Sequence, residues 1–259
     1  MKHFTIFGDP VEHSISPIMH TYAIEGLGLN ATYTKTRLKD PTRLKPMFLE
    51  RFDGANVTVP HKEAAFLQCD LIRGIAKEIG AVNTLVKKEG KMIGYNTDAE
   101  GFYRSIEPFG EISCAMILGA GGSARAIAYI LRQKGIEVTI LNRTASRLEA
   151  FKAFKTMTWE RYSSGSYDLL INTTSAGLSE EILPAPEAIM KDLFSHTKYA
   201  VDIIYNKLTP FLQMAEAYHV PAKDGADMLL YQGVLAFNLF YDNRFEFEEI
   251  EKYMRKAFV

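Results

Sequence analysis

Lys62 and Asp98 are the side chains of this 259-residue chain whose types and positions best suit proton transfer. Lys62 is predicted to lie in the first turn of a helix, where the helix dipole disfavours its charged form. Asp98 also falls at a predicted helix start, which stabilises a carboxylate. It is left free there if Thr97 caps the helix, but Asp98 could itself be the cap. Local sequence leaves Lys62 a second interpretation, as a solvated lysine beside Glu63.

Two serines are candidates for binding a carboxylate. Ser14 and Ser16 are separated by one residue and precede a predicted helix that runs through Met19 and Leu27. In an extended segment, side chains two residues apart point to the same side. Both hydroxyls would then lie beside a helix N-terminus. The alternative is that Ser16, which precedes Pro17, only caps the helix.

A glycine-rich stretch predicts a dinucleotide-binding turn. The apolar run Ala115–Leu118 has strand length, and a helical pattern begins at Ser123. At this junction, Gly119, Gly121 and Ala124 fit the three small positions of the G-x-G-x-x-G/A pattern. The free N–H groups and the dipole at the helix start favour an anion such as pyrophosphate. A tight turn without a ligand is the alternative.

The residues after the next predicted strand, Glu137–Leu141, favour NADP over NAD. The carboxyl end of this strand carries Asn142-Arg143-Thr144, and Arg147 follows. NAD-specific sites tend to place an acidic residue there, whereas an arginine accommodates the 2′-phosphate of NADP. Charge-assisted hydrogen bonds to that phosphate are worth roughly 1.5–3 kcal/mol each. Two solvated arginines are the alternative interpretation.

Composition narrows the class of protein. Hydrophobic residues make up 47% of the chain and charged residues 24%, with a formal net charge of −1, as in ordinary globular proteins. This charge gives no basic surface for nucleic acid and no sign of membrane binding. Because no apolar run approaches the ~20 residues of a membrane span and no signal peptide is evident, we expect a cytoplasmic protein.

The cysteines and histidines give no indication of a disulfide or a metal site. Cys69 and Cys114 are expected to be small buried residues. His13, His20 and His61 lack the spacing of metal ligands, so we expect no bound metal.

Alternating strands and helices predict an α/β protein with a parallel, doubly wound sheet and ligands at the strand carboxyl ends. Further strands are expected near residues 3–7, 33–36, 54–60, 81–86, 91–95, 167–172 and 199–205. Helices are expected from residue 226 and over 246–258. Gln232 is a lone amide on the apolar face of the first of these helices, which suggests a hydrogen-bond partner.

In this order, the segments resemble the shikimate dehydrogenase family across nearly the whole chain. The motifs that carry the resemblance are Ser14-x-Ser16, Asn56-Val57-Thr58-x-Pro60-x-Lys62, Ala81-Val82-Asn83-Thr84, Gly94-x-Asn96-Thr97-Asp98-x-x-Gly101, Gly119-Ala120-Gly121-Gly122, Asn142-Arg143-Thr144, Asp224-Gly225 with Met228, and Gln232. The resemblance implies two α/β domains. Residues 101–224 would form a Rossmann-like NADP-binding domain, and residues 1–100 with 225–259 a substrate-binding, catalytic domain with a mainly parallel sheet.

The resemblance also implies an activity, the reversible NADPH-dependent reduction of 3-dehydroshikimate to shikimate in chorismate and aromatic amino acid biosynthesis. Lys62 and Asp98 would be the catalytic pair. The substrate-binding residues would be Ser14, Ser16, Thr58, Asn83, Tyr205 and Gln232. The NADP-binding residues would be Gly119, Ala120, Gly121, Gly122, Ser123, Ala124, Asn142, Arg143, Thr144, Arg147, Thr173, Gly225 and Met228.

Two segments depart from the family pattern. Residues 172–178 read Asn-Thr-Thr-Ser-Ala-Gly-Leu, where the family often has Asn-Ala-Thr-Ser-x-Gly-Met. The segment between Tyr205 and Thr209 is one residue shorter than in the family pattern. This difference bears on the expected role of Tyr205 in substrate binding.

The nearest rival activity is that of a quinate/shikimate dehydrogenase with relaxed substrate or NAD use, against which Asn142 and Arg143 argue. A small-molecule sensor on the same fold would not need a proton-transfer pair. The sequence does not determine the oligomeric state, and a homodimer is the candidate assembly.

Overall fold

The computed structural model describes residues 1–258, which form two compact units. Unit 1 comprises Met1–Phe102 together with the chain from Leu229 onward, and unit 2 comprises Tyr103–Met228. The sequence predicted boundaries after residues 100 and 224. Among residues 1–258, no helix has both the length and the apolar character needed to cross a membrane.

Unit 1 contains a mixed sheet. Its strands are β1 (Lys2–Gly8), β2 (Ala31–Arg37), β3 (Gly54–Val57), β4 (Leu71–Ile72), β5 (Thr84–Lys88) and β6 (Lys91–Tyr95), in the spatial order β2-β1-β3-β5-β6-β4. Strand β1 pairs in parallel with β2 and β3, and β4 pairs in parallel with β6. The β3–β5 pair and the β5–β6 hairpin are antiparallel. Among the described strands β5 therefore runs against the other five, and the sheet is mainly parallel, as predicted.

The sheet of unit 2 is parallel throughout its described strands and is doubly wound, as predicted. The strands are β7 (Cys114–Leu118), β8 (Glu137–Leu141), β9 (Lys155–Met157), β10 (Tyr167–Asn172), β11 (Thr197–Asp202) and β12 (Ala222–Lys223), in the order β12-β11-β10-β7-β8-β9. The chain runs outward from β7 through β8 and β9, then returns to β10 on the other side of β7. Ligands bind α/β sheets at such a reversal, outside the strand carboxyl ends.

The helices pack against these sheets. They are α1 (Ser16–Gly26), α2 (Leu44–Arg51), α3 (Lys62–Gln68), α4 (Ala76–Ile79), α5 (Thr97–Ile106), α6 (Gly122–Gln133), α7 (Glu187–Ser195), α8 (Pro210–Ala217), α9 (Ala226–Phe240) and α10 (Phe247–Met254). The predicted last helix is therefore shorter than expected, because a 3₁₀ turn over Arg255–Phe258 replaces its final turn.

One apolar cluster holds unit 1 together from both of its chain segments. Phe4 of β1 and Met19 of α1 pack in the same cluster as Val234 and Phe237 of α9 and Met254 of α10. Each of these side chains is at most 1% exposed. Burying side chains of this size stabilises a fold by roughly 1.5–3 kcal/mol each. The sheet of unit 1 therefore depends on helices that come from the end of the chain.

In unit 2, α6 shows why the glycine-rich stretch folds as predicted. Ala126, Ile127, Ile130 and Leu131 are all buried, so the helix packs its apolar face against the sheet. Gly135 follows the helix with φ +81°, a left-handed conformation that glycine adopts without a steric penalty.

Candidate active site

Lys62 and Asp98 come together in unit 1 although 35 residues separate them in the sequence. Lys62 is the first residue of α3, and Asp98 lies in the first turn of α5. Lys62 Nζ donates to Asp98 Oδ2 at 2.7 Å, and the two side chains are 22% and 12% exposed. An ion pair that is partly shielded from water but reachable from solvent is suited to proton exchange with a bound ligand. The solvated-lysine interpretation of Lys62 is therefore wrong.

The start of α5 differs from both capping predictions. Asn96 Oδ1 accepts a hydrogen bond from the backbone N–H of Ala99 at 3.2 Å, which is the contact a capping side chain makes. Thr97 does not cap, because its Oγ1 lies in hydrogen-bond contact with Asn83. Asp98 is not the cap either. Its carboxylate is consequently left for Lys62, and the signal that sequence reasoning missed was Asn96.

Asn83 fixes the other oxygen of Asp98. The backbone N–H of Thr97 donates to Asn83 Oδ1 at 2.8 Å. Because a backbone N–H can only donate, this contact assigns the amide oxygen and turns Asn83 Nδ2 toward Asp98. Asn83 Nδ2 then donates to Asp98 Oδ1 at 2.9 Å. Both carboxylate oxygens of Asp98 are thus held, one by an ammonium and one by an amide.

Ser14 and Ser16 lie at the start of α1 in a turn, and the predicted extended segment is wrong. Ile15 has φ −91° and ψ −1°, and the N–H of Ser16 donates to Ser14 Oγ at 3.3 Å. Ser16 is the first residue of the helix and its side chain makes no capping hydrogen bond, so the capping interpretation is also wrong. A hydroxyl that bonds the backbone two residues ahead favours a turn over an extended chain.

Thr58 and Gln232 also lie in unit 1. Thr58 follows β3 and packs closely on Gly8. A Cβ added to Gly8 would lie 2.5 Å from Thr58 Cγ2. Gln232 is 8% exposed, and its Nε2 donates to the carbonyl of Leu229 at 2.8 Å. A Cβ on Gly101 would lie 2.7 Å from the backbone nitrogen of Gln232. The backbones of α5 and α9 therefore approach closely beside this amide.

The glycine-rich turn of unit 2 leaves open space at the start of α6. Gly119 has φ +104°, and a Cβ there would lie 2.8 Å from Thr173 Oγ1. Gly121 and Gly122 face open space, and α6 begins with no side chain bonded to its first N–H groups. Thr173 Oγ1 donates to the carbonyl of Leu118 at 2.7 Å, which ties the neighbouring loop to the end of β7. The N-terminus of α6 therefore has open space beside backbone N–H groups that no capping side chain binds, as an anion-binding site requires.

The residues after β8 present two exposed guanidinium groups. Asn142 Nδ2 donates to the carbonyl of Thr144 at 2.9 Å, which turns the chain after the strand. Arg143 lies over the ring of Trp159, 5.8 Å from its centroid, a platform that the sequence did not reveal. Among residues 1–258, neither Arg143 nor Arg147 forms an ion pair. Arg147 belongs to a 3₁₀ helix that begins after Arg143, at Ala145.

Gly225, Met228 and Tyr205 also lie in unit 2. A Cβ on Gly225 would lie 2.1 Å from the carbonyl oxygen of Ile203, so only glycine fits there. Tyr205 was expected at the end of a strand, but β11 ends at Asp202 and leaves Tyr205 in the following loop. Burial raises the pKa of Tyr205, which keeps its phenol protonated as a hydrogen-bond donor. The other expected substrate-binding residues all lie in unit 1.

Comparison with known proteins gives consistent matches. A family model described as the shikimate dehydrogenase substrate binding domain matches residues 6–85. The chain is 44% identical over 253 residues to a shikimate dehydrogenase (NADP(+)) of Helicobacter hepaticus, which covers 96% of this chain and 94% of that relative. The crystal structure of shikimate 5-dehydrogenase from Thermus thermophilus, in complex with NADP(H) and shikimate, is similar with a TM-score of 0.86 at 36% identity, covering 99% of this chain and 100% of that chain.

A doubly wound parallel sheet with an uncapped glycine-rich helix start, in a chain that also carries a lysine–aspartate pair, defines a dinucleotide-dependent oxidoreductase. Sequence identity extends over both units. The chain belongs to the shikimate dehydrogenase family.

Proposed function

We propose that this protein catalyses the reversible NADPH-dependent reduction of 3-dehydroshikimate to shikimate. The observation that carries the proposal is the contact between Lys62 Nζ and Asp98 Oδ2 in unit 1. This unit contains the residues matched by the substrate-binding family model. Unit 1 would accordingly bind the substrate and unit 2 the NADP(H).

Lys62 is proposed to deliver the proton. In the direction of reduction, bound NADPH would supply the hydride that reduces the carbonyl carbon of 3-dehydroshikimate. The Lys62 ammonium gives a proton to the carbonyl oxygen as negative charge develops there, and in the reverse direction Lys62 accepts it. Asp98 holds the ammonium at 2.7 Å, which orients its remaining N–H bonds. General acid–base assistance of this kind is worth about 10²–10⁴-fold in rate.

The polar groups of the substrate have candidate partners of matching chemistry. The hydroxyls of Ser14 and Ser16 would bind the substrate carboxylate together with the Tyr205 phenol. The ring hydroxyls and the reacting oxygen carry both donors and acceptors, so they suit side chains that offer both. Thr58, Asn83, Asp98 and Gln232 would make these contacts.

NADP(H) fits the donor set of unit 2. The uncapped first turn of α6, at Gly121 and Gly122, would bind the pyrophosphate through backbone N–H groups. Arg143 and Arg147 are guanidinium groups without a paired carboxylate, so a 2′-phosphate would meet no competitor there. The remaining contacts of the cofactor would come from Gly119, Ala120, Ser123, Ala124, Asn142, Thr144 and Thr173, with Gly225 and Met228 at the nicotinamide.

A cytoplasmic location fits the cysteines. Cys69 and Cys114 are both free thiols, and unpaired cysteines are usual in compartments that keep thiols reduced.

The activity is tested by following the absorbance of NADPH with 3-dehydroshikimate, then with NADH in place of NADPH and with quinate in the reverse direction. We expect turnover that depends on 3-dehydroshikimate and prefers NADPH. Absence of turnover by the folded protein would refute the proposed function. Equal efficiency with NADH would refute the role given to Arg143 and Arg147.

The catalytic role of Lys62 is tested with Lys62→Met, and the chain offers a matched control. Lys45 Nζ contacts Asp70 Oδ1 at 2.6 Å in the same unit, and the two side chains are 31% and 33% exposed. We expect Lys62→Met to lower kcat by about 10²–10⁴-fold and Lys45→Met to leave it within about twofold. Equal kcat in the two variants would end the catalytic assignment.

A further inference from the structure

A buried tyrosine of unit 1 lies at the start of a chain of hydrogen bonds that ends at Asp98. Tyr33, on β2, is 7% exposed, and its hydroxyl contacts Asn56 Oδ1 at 2.7 Å. Asn56 Nδ2 contacts the carbonyl of Asn83 at 3.3 Å. Because a carbonyl can only accept, the Asn56 amide nitrogen faces Asn83 and its oxygen faces Tyr33. The Tyr33 hydroxyl is therefore the donor.

The next link is the hydroxyl of Thr84, which is fully buried. Asn56 Nδ2 donates to Thr84 Oγ1 at 3.2 Å. The single proton of that hydroxyl points onward, either to Asn83 Oδ1 at 3.0 Å or to Thr97 Oγ1 at 3.1 Å. Thr97 Oγ1 itself lies 3.2 Å from Asn83 Oδ1, so both routes reach the same amide oxygen. From there Asn83 Nδ2 donates to Asp98 Oδ1 at 2.9 Å.

We infer that Tyr33 and Thr84 are positioning residues for the reaction, and that they act through Asn56 and Asn83 to hold Asp98 in the orientation that serves Lys62. The inference rests on the proposed dehydrogenase activity and adds to it two buried residues that act through other side chains. The observation that carries the inference is the common direction of these hydrogen bonds. Each donor along the series from Tyr33 points toward the carboxylate of Asp98.

The direction matters because hydrogen bonds in a chain polarise one another, by about 10–30% per bond. A carboxylate at the accepting end is the group that gains from such polarisation. Burial raises the pKa of Tyr33 well above its ordinary value, so the phenol stays protonated and remains a donor. The ring of Tyr33 stacks on the ring of His20 with centroids 4.1 Å apart. This contact holds the ring of Tyr33, and with it the hydroxyl, in place.

The test uses variants that remove a hydroxyl and keep the shape of the side chain. Tyr33→Phe removes the first donor, and Thr84→Val interrupts the chain at its middle. We expect each to lower kcat by about three- to tenfold while the KM values for shikimate and NADP⁺ stay within about twofold. Thr84→Ser, which keeps the hydroxyl, should restore most of the kcat lost in Thr84→Val. The double variant should lose little more than the worse single variant, because both changes interrupt the same chain.

Two control variants separate this role from a general loss of packing. The hydroxyl of Tyr241 is buried with no hydrogen-bond partner, so Tyr241→Phe removes a phenol hydroxyl that makes no bond. Thr5 is fully buried and its hydroxyl contacts Thr34 and Thr36, so Thr5→Val removes a bonded hydroxyl outside the chain. Both should leave kcat within about twofold of the wild type, whatever they do to the melting temperature.

The outcomes are distinct. An active wild-type enzyme with unchanged kcat in Tyr33→Phe overturns the inference and leaves the proposed function standing. Effects that multiply in the double variant, or a kcat loss in Thr5→Val as large as in Thr84→Val, overturn it equally. If Thr84→Val does not fold, the kcat and KM values of Tyr33→Phe decide alone. A wild-type enzyme without dehydrogenase activity refutes the proposed function itself.

Discussion

The substitution His20→Phe is expected to remove much of the acid sensitivity of unit 1. His20 is 1% exposed and stacks on the ring of Tyr33, with the ring of Phe237 5.8 Å away. Neither of its ring nitrogens has a hydrogen-bond partner. Burial lowers the pKa of His20 to about 3, because a charged imidazolium would lose its hydration without compensation. A phenylalanine of similar shape loses no hydrogen bond there.

The size of the effect follows from the two pKa values. In the unfolded chain, a histidine titrates near 6.5, so below that pH the unfolded state takes up a proton that the folded state refuses until the pH approaches 3. The stability contributed by neutral His20 is therefore complete above pH 6.5 and is lost progressively as the pH falls. Between pH 7 and pH 5 the loss from His20 alone is about 2 kcal/mol.

Hydrogen exchange measures this loss in the unit concerned. The free energy of opening is obtained from the protected amides of β1, Lys2–Gly8, at pH 7 and pH 5, after correction for the intrinsic exchange rate. We expect the free energy in the wild type to fall by about 2 kcal/mol more than in His20→Phe. His13 is exposed, and His13→Gln should show the wild-type loss. An equal fall in the wild type and His20→Phe would refute the reasoning.

Three further outcomes are expected. Lys62→Met or Asp98→Asn should each destabilise the protein by about 1–3 kcal/mol, since one partner is left without its counterpart. The double variant should regain part of that stability in urea unfolding while staying inactive, and strictly additive losses would argue against a coupled pair. Arg143→Ala or Arg147→Ala should raise the KM for NADPH about ten- to hundredfold and leave that for NADH unchanged; a steady-state assay in which both KM values change alike would contradict this. Burial raises the pKa of the Cys69 thiol to about 12, so iodoacetamide at pH 8 should leave Cys69 unmodified in the native protein by mass spectrometry, and its rapid alkylation would count against that burial.

The sequence predicted those parts of the molecule that depend on short stretches of chain. The glycine-rich turn, its helix and the strand Glu137–Leu141 follow from a hydrophobic pattern and from the small residues at Gly119 and Gly121. Lys62 was singled out because a cation at a helix start is unusual. These features need no knowledge of distant residues, so a local pattern is sufficient to find them.

Features that depend on distant contacts were not predictable. Asn96 caps α5 instead of Thr97 because Asn83, which precedes it by 13 residues, binds the Thr97 hydroxyl. The hydrogen bond from Tyr33 to Asn56 joins β2 to β3, two strands that are not neighbours in the sheet. A pattern in a short stretch of sequence cannot link such residues, because they come close in space only when the sheet assembles.

The discontinuous core of unit 1 has a consequence for synthesis on the ribosome. Phe4 and Met19 are translated well before Phe237 and Met254, with which they pack in one cluster. Until residues 229–258 have left the exit tunnel, the first hundred residues hold an uncovered apolar face, which chaperones recognise. In the sequence, unit 2 lies between the two segments of unit 1, so it can fold before unit 1 is complete. The core of unit 1 can therefore be completed only after unit 2 has been translated.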